Sequence, residues 1–427
     1  MKKINAKAQV QERGQVEEMK QPLTIAVLKD RYQTSFMTPR TSRHRIKRVN
    51  FTPLNKINSE LDGVTVLVPQ LDASLIHAHN RIPAGSSKLI MSFESHLPRR
   101  FGLADSTTAV KVMQKRIEQD SCRRIIGMSH YARRTFLKQH ADTDAFDVLN
   151  NKLMVRHPNC ELGPAADRLS DDPFDKFVLT FVGGHFGRKG GCVSVRVAEL
   201  ANERGLPIEV NIISSMAVGG HIWTDPSDPE FFEPYLKLLD LPNVNVLGSM
   251  PNAEVRELLG RSHFCMLPTF ADTFGYSAIE AMAEHTPVIG TDVCALPEFI
   301  EDGLNGLVFH LDSTPTGDWI NPGYNRRGEK IFADHFRDET ERLAQEITSR
   351  LEAFLGQREA MLRLRRFARL TAESMFAAPI QGALWDDLYS RVAEEKKSAP
   401  IELDPALDVS SAESVREAFE RDGISVD

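Results

Sequence analysis

The chain has 427 residues, 41 % hydrophobic and 26 % charged, with a net charge of −7, a balance that suits two globular domains with substantial cores. No apolar run approaches the ~20 residues of a membrane span, and the polar start "MKKINAKAQVQERGQVEEMKQ" lacks the apolar segment of a secretory signal. The five cysteines are odd in number and form no C-x-x-C pair, which argues against a zinc site or a disulfide framework and fits a reducing cytoplasm.

After a polar lead-in over 1–21, the predicted elements of the first half alternate. "LTIAVLKD", "GVTVLVPQ", "SLIHAHNRIP" and "SKLIMSFESHLP" read as strands, "STTAVKVMQKRIEQDSCRR" and "HYARRTFLKQH" as helices, and "IIGMS" and "NKLMVRHPNC" as further strands. Strand and helix in alternation predict a parallel, doubly wound α/β domain over 22–165. A polar stretch rich in Gly, Pro and Asp follows, with the linker placed at 166–175. A second alternating set over 176–378 starts at "FVLTFVGG" and includes "NAEVRELLGRS", where Asn252 is the expected helix N-cap. The charged, helix-periodic stretch "DETERLAQEITSRLEAFLGQREAMLRLRRFARLTAESM" comes next, then a last helix over 379–397 and an acidic tail over 398–427.

Charge is unevenly divided. Residues 31–170 hold 22 Lys and Arg against 12 Asp and Glu, whereas residues 171–427 hold 24 against 43. The densest basic run, "RTSRHRIKRVNF", carries Arg40, Arg43, Arg45, Lys47 and Arg48. It reads either as a solvated face or loop, or as a surface that meets anionic headgroups or a phosphorylated acceptor. No helix-turn-helix, zinc or aromatic-interleaved pattern accompanies it, so nucleic acid is not the expected partner.

Chemistry concentrates in "PTFADTFGYSAIEAMAEHTPVIG", which begins at Pro268 and sets Asp272 and Glu280 around Gly275 between two strand-like runs. In a strand–loop–helix–strand unit this loop lies at the carboxyl end of a parallel strand, where open α/β sheets bind ligands. Unpaired N–H groups of the helix start at Gly275 favour a phosphate. Glu280, one turn in and leaning back, is placed to accept from vicinal hydroxyls, and Asp272 from hydroxyls on the other side. The plainer alternative is that Asp272 caps the helix and Glu280 pairs with a surface base.

The segment "PTFADTFGYSAIEAMAEHTPVIGTDVCALPEFIEDGLNGLVF" resembles the signature of the family 4 glycosyltransferases, with Asp272 standing where that signature usually has Glu. The resemblance implies the GT-B fold: two Rossmann-like, doubly wound parallel-sheet domains facing a central cleft, with a C-terminal helix crossing back to the first. It also implies a retaining transfer of sugar from a nucleotide diphosphate sugar to an acceptor, with that co-substrate in place of a cofactor and no metal required. "FVGGHFGRKGG" resembles the family's phosphate loop, in which Lys189 takes the lysine position and Gly184 the arginine position, leaving Arg188 as the nearest arginine. Its glycines let backbone amides approach a ligand, and the two cations supply charge.

The site residues implied are Lys189, Arg188, Asp272 and Glu280 for catalysis, and Gly183, Gly184, Phe274, Gly275, Tyr276 and Ser277 for the donor. On the acceptor side the resemblance points to Glu94 and His96, which follow the strand "LIMSF", while His77 and His79 read as structural. The family's Gly-Gly loop after the first strand is missing from "LKDRYQTSF". Cytoplasmic synthesis of a surface polysaccharide or glycolipid is then expected, with peripheral contact at the inner face of the membrane. A nucleotide-sugar epimerase of the same fold and a non-catalytic nucleotide-sugar-binding protein remain as alternatives. A Rossmann dehydrogenase does not, because no G-x-G-x-x-G follows a strand.

Overall fold

The computed structural model describes residues 21–29, 41–53, 63–67, 72–100 and 107–397. The lead-in, the acidic tail, Arg40 and most of "LKDRYQTSF" lie outside the described residues.

Fifteen strands are present among the described residues: β1 Thr24–Leu28, β2 Arg45–Val49, β3 Phe51–Pro53, β4 Val64–Leu67, β5 Leu75–His79, β6 Ile82–Pro83, β7 Leu89–Phe93, β8 Cys122–Gly127, β9 Leu153–Val155, β10 Phe177–Val182, β11 Ile208–Ile213, β12 Val244–Val246, β13 Phe264–Leu267, β14 Val288–Thr291 and β15 Gly306–Phe309. The α-helices are α1 Thr108–Glu118, α2 His130–His140, α3 Phe146–Asn150, α4 Gly191–Glu203, α5 Glu233–Lys237, α6 Asn252–Gly260, α7 Tyr276–Ala283, α8 Lys330–Phe354, α9 Arg358–Met375 and α10 Ala378–Glu394.

Two six-stranded sheets carry the fold, in the orders β2-β1-β5-β7-β8-β9 and β12-β11-β10-β13-β14-β15. All their pairings are parallel. Parallel strands need crossover connections that cover both faces, so their sequences are continuous apolar runs. Strands β5, β7, β8, β13 and β14 are buried at every position. In each sheet the strand order reverses beside the first strand, so the loops after β1 and β5, and after β10 and β13, open a crevice at the carboxyl edge.

Three sequence expectations change. "GVTVLVPQ" supplies β4, which joins a small sheet with β3 and β6 instead of the main one. The basic run is only partly a loop: Arg45–Val49 is edge strand β2, in parallel register with β1, and Arg43, Arg45 and Arg48 stay exposed. The charged helical stretch starts earlier, at Lys330, and is two helices parted at Gly356, whose φ of 74° an L side chain rarely adopts.

Helix α10 crosses back onto the first domain. The Tyr389 hydroxyl bonds His77 Nδ1 at 2.8 Å, and the Asp386 carboxylate accepts from Ser42 Oγ at 2.6 Å and Arg43 N at 2.7 Å. Glu395, just beyond the helix, pairs with Arg124. Segment 161–176 is tied down as well: fully buried Arg365 of α9 grips both Asp167 oxygens at 2.7 Å and donates to the Ser262 carbonyl at 2.8 Å.

Candidate active site

The glycine loop follows β10. Its turn is closed by Lys189 N–H to His185 O at 3.0 Å, Gly190 N–H to Gly187 O at 3.0 Å and Gly191 N–H to Phe186 O at 2.7 Å. Gly190 has φ 89°, and a Cβ there would stand 2.2 Å from the Pro268 carbonyl oxygen. Only glycine satisfies both constraints, and the loop therefore lies directly on the end of β13. Gly183 is half-buried and Gly184 exposed, with the Gly184 carbonyl accepting from Ser215 Oγ at 2.9 Å.

The two motifs that were separate in sequence are stitched together here. The Arg188 carbonyl accepts from Phe270 N–H at 3.0 Å and Thr269 Oγ1 at 2.9 Å, and the Arg188 guanidinium donates to the Ala271 carbonyl at 2.8 Å. Its Nε also donates to His185 Nδ1 at 3.1 Å. Lys189 Nζ forms an ion pair with Asp272 Oδ2. Burial pushes the Asp272 carboxyl up, but Lys189 and Arg188 outweigh it and hold the group below its ordinary value. The cation expected at a diphosphate and the acid expected at sugar hydroxyls thus face each other.

Gly275, with φ 91°, caps α7, and a Cβ on it would meet Leu296 Cδ2 at 2.6 Å. The N–H groups of the next residues are those a helix leaves unpaired at its start. Ser277, in this first turn, is 8 % exposed, and its hydroxyl has no hydrogen-bond partner among the described residues. Tyr276 is half-buried beside Phe274, with ring centroids 5.9 Å apart. Phe274 itself is fully buried among Phe299, Phe376 and His157, so its side chain is not exposed to the crevice.

Glu280 sits one turn further, and its Oε1 accepts from Asn252 Nδ2 at 2.9 Å. Here the cap assignment of Asn252 is corrected. Pro251 holds the N-cap position of α6, Asn252 is the first helical residue, and its amide reaches across to α7. Burial raises the Glu280 pKa, opposed by the Asn252 bond and by Arg256.

The acceptor-side candidates separate. Glu94 is ion-paired to Arg99 and bracketed by Asn80, whose Nδ2 donates to Glu94 Oε1 at 3.1 Å and whose Oδ1 accepts from Glu94 N–H at 3.2 Å. His96, two residues on, is exposed. His77 and His79 are buried and share the Ser92 hydroxyl.

Several residues at the domain junction had no assigned role in the sequence. Glu298, within the "LPE" string, caps α2 of the first domain by accepting from His130 N–H at 2.7 Å and Tyr131 N–H at 2.6 Å. The Tyr131 hydroxyl donates to Asp318 Oδ1 at 2.7 Å, and Arg134 Nε to the Thr316 carbonyl at 3.2 Å. Cys294, at φ 56°, places its thiol against Tyr131 and the Asp272 backbone, and burial pushes that thiol up to about 12. The "LPE" match was a signal for Glu298; Tyr131 and Asp318 had none. Among the described residues, no group of three or more His, Cys, Asp or Glu is placed to hold a metal ion.

Burial also raises the Glu298 carboxyl to about 7, against the two N–H bonds from α2, and raises Asp225, 0 % exposed, to about 7. A carboxyl raised in the folded state stabilises the fold below its unfolded value, and that contribution is lost as pH climbs through the folded value. The thermal midpoint is therefore expected to fall as pH rises from about 5 to about 8. Glu298→Gln and Asp225→Asn should each remove a share of that slope. Wild-type melts with no slope over this window would contradict the assignment.

The residue range 176–317, which contains both motif loops, matches the family model described as glycosyl transferases group 1. A D-inositol 3-phosphate glycosyltransferase of Corynebacterium kroppenstedtii is 25 % identical over 167 residues, covering 37 % of this chain and 36 % of that protein. One from Arthrobacter sp. is 26 % identical over 257 residues, covering 58 % and 55 %. The chain thus aligns with less than two thirds of the length of these curated relatives. In three dimensions it is similar to Anabaena Alr3699/HepE, crystallised with UDP-glucose, at a TM-score of 0.50 and 13 % identity, covering 86 % of this chain and 100 % of that one. That likeness concerns the fold alone. The second domain thus matches the group 1 glycosyltransferases over residues 176–317, and the chain as a whole has a GT-B-like fold.

Proposed function

We propose that the protein transfers a sugar from a nucleotide diphosphate sugar to an acceptor with retention of anomeric configuration. The observation that carries this reading is the meeting of Lys189 and Arg188 with the Ala271–Asp272 loop, next to the open start of α7. A diphosphate bridging that helix start and the two cations would displace Asp272 from Lys189 and release the carboxylate toward the donor sugar. Glu280, held by Asn252, would accept from the ribose hydroxyls.

Chemistry is then the breaking of the bond from the anomeric carbon to the diphosphate oxygen. Charge that accumulates on the leaving oxygen is met by Lys189, Arg188 and the helix N–H groups. The acceptor oxygen bonds the anomeric carbon on the face being vacated, and its proton passes to the departing phosphate. Glu94 is committed to Arg99 and Asn80 and is not assigned as a base.

The pathway that fits this reading is synthesis of a polysaccharide or glycolipid. No described helix is long and apolar enough to cross a membrane. In the basic run, Lys47 is charge-paired with Asp72 at 2.9 Å, and Arg43 donates to the neutral Ser390 hydroxyl at 3.0 Å. Arg43, Arg45 and Arg48 are the exposed cations of the run among the described residues. At about 1 kcal/mol each near an anionic bilayer they give at most a weak, salt-sensitive attraction.

A panel of nucleotide diphosphate sugars tests the function. Slow hydrolysis of one donor, releasing the nucleoside diphosphate and a sugar of retained configuration, is expected. Conversion of the donor to its epimer, or tight binding with no turnover in the presence of a membrane and metabolite extract, would overturn it in favour of an epimerase or a binding protein.

A further inference from the structure

A cavity of about 670 Å³ lies between the first and second domains, next to the junction just described. One wall is the loop after β7, with His96, Arg99 and Arg100; another is α2, with Thr135 and Lys138; the third is Asp318 of the second domain. Three formal positive charges and one carboxylate line it, and one of the three, Arg99, is ion-paired to Glu94. That carboxylate is already engaged: Asp318 Oδ1 accepts from Tyr131, and Oδ2 accepts from the Thr316 hydroxyl at 2.6 Å. The charges of Arg99, Arg100 and Lys138 are all close enough to act on His96.

The cavity is built in advance of any ligand. Gln139 of α2 accepts from Leu97 N–H at 3.0 Å and donates to the Pro98 carbonyl at 3.0 Å, and His140 Nε2 bonds the Leu97 carbonyl at 2.8 Å. These bonds fix the basic loop to the helix, which lowers the ordering cost of binding. A second, independent feature is Thr135. It is 6 % exposed, lines the cavity, and its hydroxyl has no hydrogen-bond partner among the described residues. A buried hydroxyl without a partner is a costly arrangement unless a ligand or water completes it.

We propose that this cavity receives the phosphate of a phosphate-bearing acceptor, held by Arg100 and Lys138 with the Thr135 hydroxyl. Guanidinium and ammonium groups are the usual phosphate donors, one by a planar fork and the other as a point charge. The inference rests on the glycosyltransfer reading for the word acceptor, and on the cavity alone for the phosphate. Position supports the link, because the Asp318 wall reaches Asp272 through Tyr131 and the Cys294 thiol. The phosphate could belong to a soluble sugar phosphate or to a lipid headgroup.

Calorimetry on the full chain distinguishes these sources and tests the site, using glucose 6-phosphate against glucose, and phosphatidylglycerol vesicles against phosphatidylcholine vesicles. One anionic phosphate probe should bind at least about tenfold tighter than its net-neutral counterpart, the scale of one charge-assisted bond. Arg100→Gln, Lys138→Gln and Thr135→Val should each weaken it, while UDP affinity, measured on the same samples, stays unchanged. Binding of glucose 6-phosphate would assign a soluble acceptor, and binding of phosphatidylglycerol vesicles alone a lipid-borne one. The proposal is overturned if neither phosphate probe is preferred, or if the preference survives the double variant of Arg100 and Lys138. Failure of UDP to bind would instead strike the donor-site reading, and leaves the cavity result to stand by itself.

Discussion

Replacing Lys189 with alanine is expected to lower turnover by about two to three orders of magnitude, the scale of losing one preorganised donor to a developing oxyanion. Donor affinity should fall by less, because charge on the diphosphate grows as the bond breaks and the ammonium is most useful in the transition state. The structure adds a complication that sequence alone did not show. Lys189 is also the ion-pair partner of Asp272, which is 5 % exposed. Removing one member of a buried pair leaves the other uncompensated, typically at a cost of about 3–5 kcal/mol of stability. Turnover must therefore be read at a temperature where circular dichroism shows the variant folded. A double variant, Lys189→Met with Asp272→Asn, removes the stranded charge and should recover stability but not turnover. Arg188→Ala is the companion: its guanidinium holds the Ala271 carbonyl at 2.8 Å, and a loss comparable with that of Lys189 would give it the role left vacant at Gly184. If single-turnover rates in both variants match the wild type, the loop "FVGGHFGRKGG" is not the diphosphate site.

Glu280→Gln should weaken donor binding by roughly 1–3 kcal/mol, or about fivefold to 150-fold in Kd. One carboxylate oxygen is committed to Asn252, and the other is the acceptor assigned to a donor hydroxyl. An amide of the same shape keeps the packing but loses the charge that strengthens both bonds. Because burial raises the Glu280 pKa, donor affinity should decline as pH falls and the group takes up a proton, and the Gln variant should show no such decline. Asn252→Ala separates the two roles given to that residue. As a helix cap it would cost about 1 kcal/mol of stability and leave donor affinity intact. As the residue that orients Glu280, its loss should weaken the donor by a smaller factor than Glu280→Gln. Titration of UDP and of the full donor into both variants makes the comparison, and unchanged affinity in Glu280→Gln would remove Glu280 from the donor site.

The alternation of apolar runs and helical spacing determined the two-domain α/β architecture by itself, because parallel strands buried on both faces must be apolar at every position. The helix start at Gly275 was equally legible. Its αL backbone and its contact with Leu296 both demand a residue without a Cβ, so local chemistry and tertiary packing ask for the same thing. Where the two levels compete, the tertiary structure decided. Asn252 has the chemistry of a cap, yet α6 lies against α7 and the amide goes to the half-buried Glu280 carboxylate, because a charged acceptor gains more from a hydrogen bond than a neutral helix-end carbonyl or N–H does. The basic run looked free because spacing says nothing about partners hundreds of residues away. Helix α10 brings Ser390 to Arg43, and pairing with β1 makes the run an edge strand. Glu298 on α2, Asp318 on Tyr131 and Lys189 on Asp272 are likewise contacts between distant segments, set by how two sheets and the segments after their strands meet. Periodicity reports which face of an element is buried, whereas the identity of the partner across a domain junction depends on chain closure over the whole molecule.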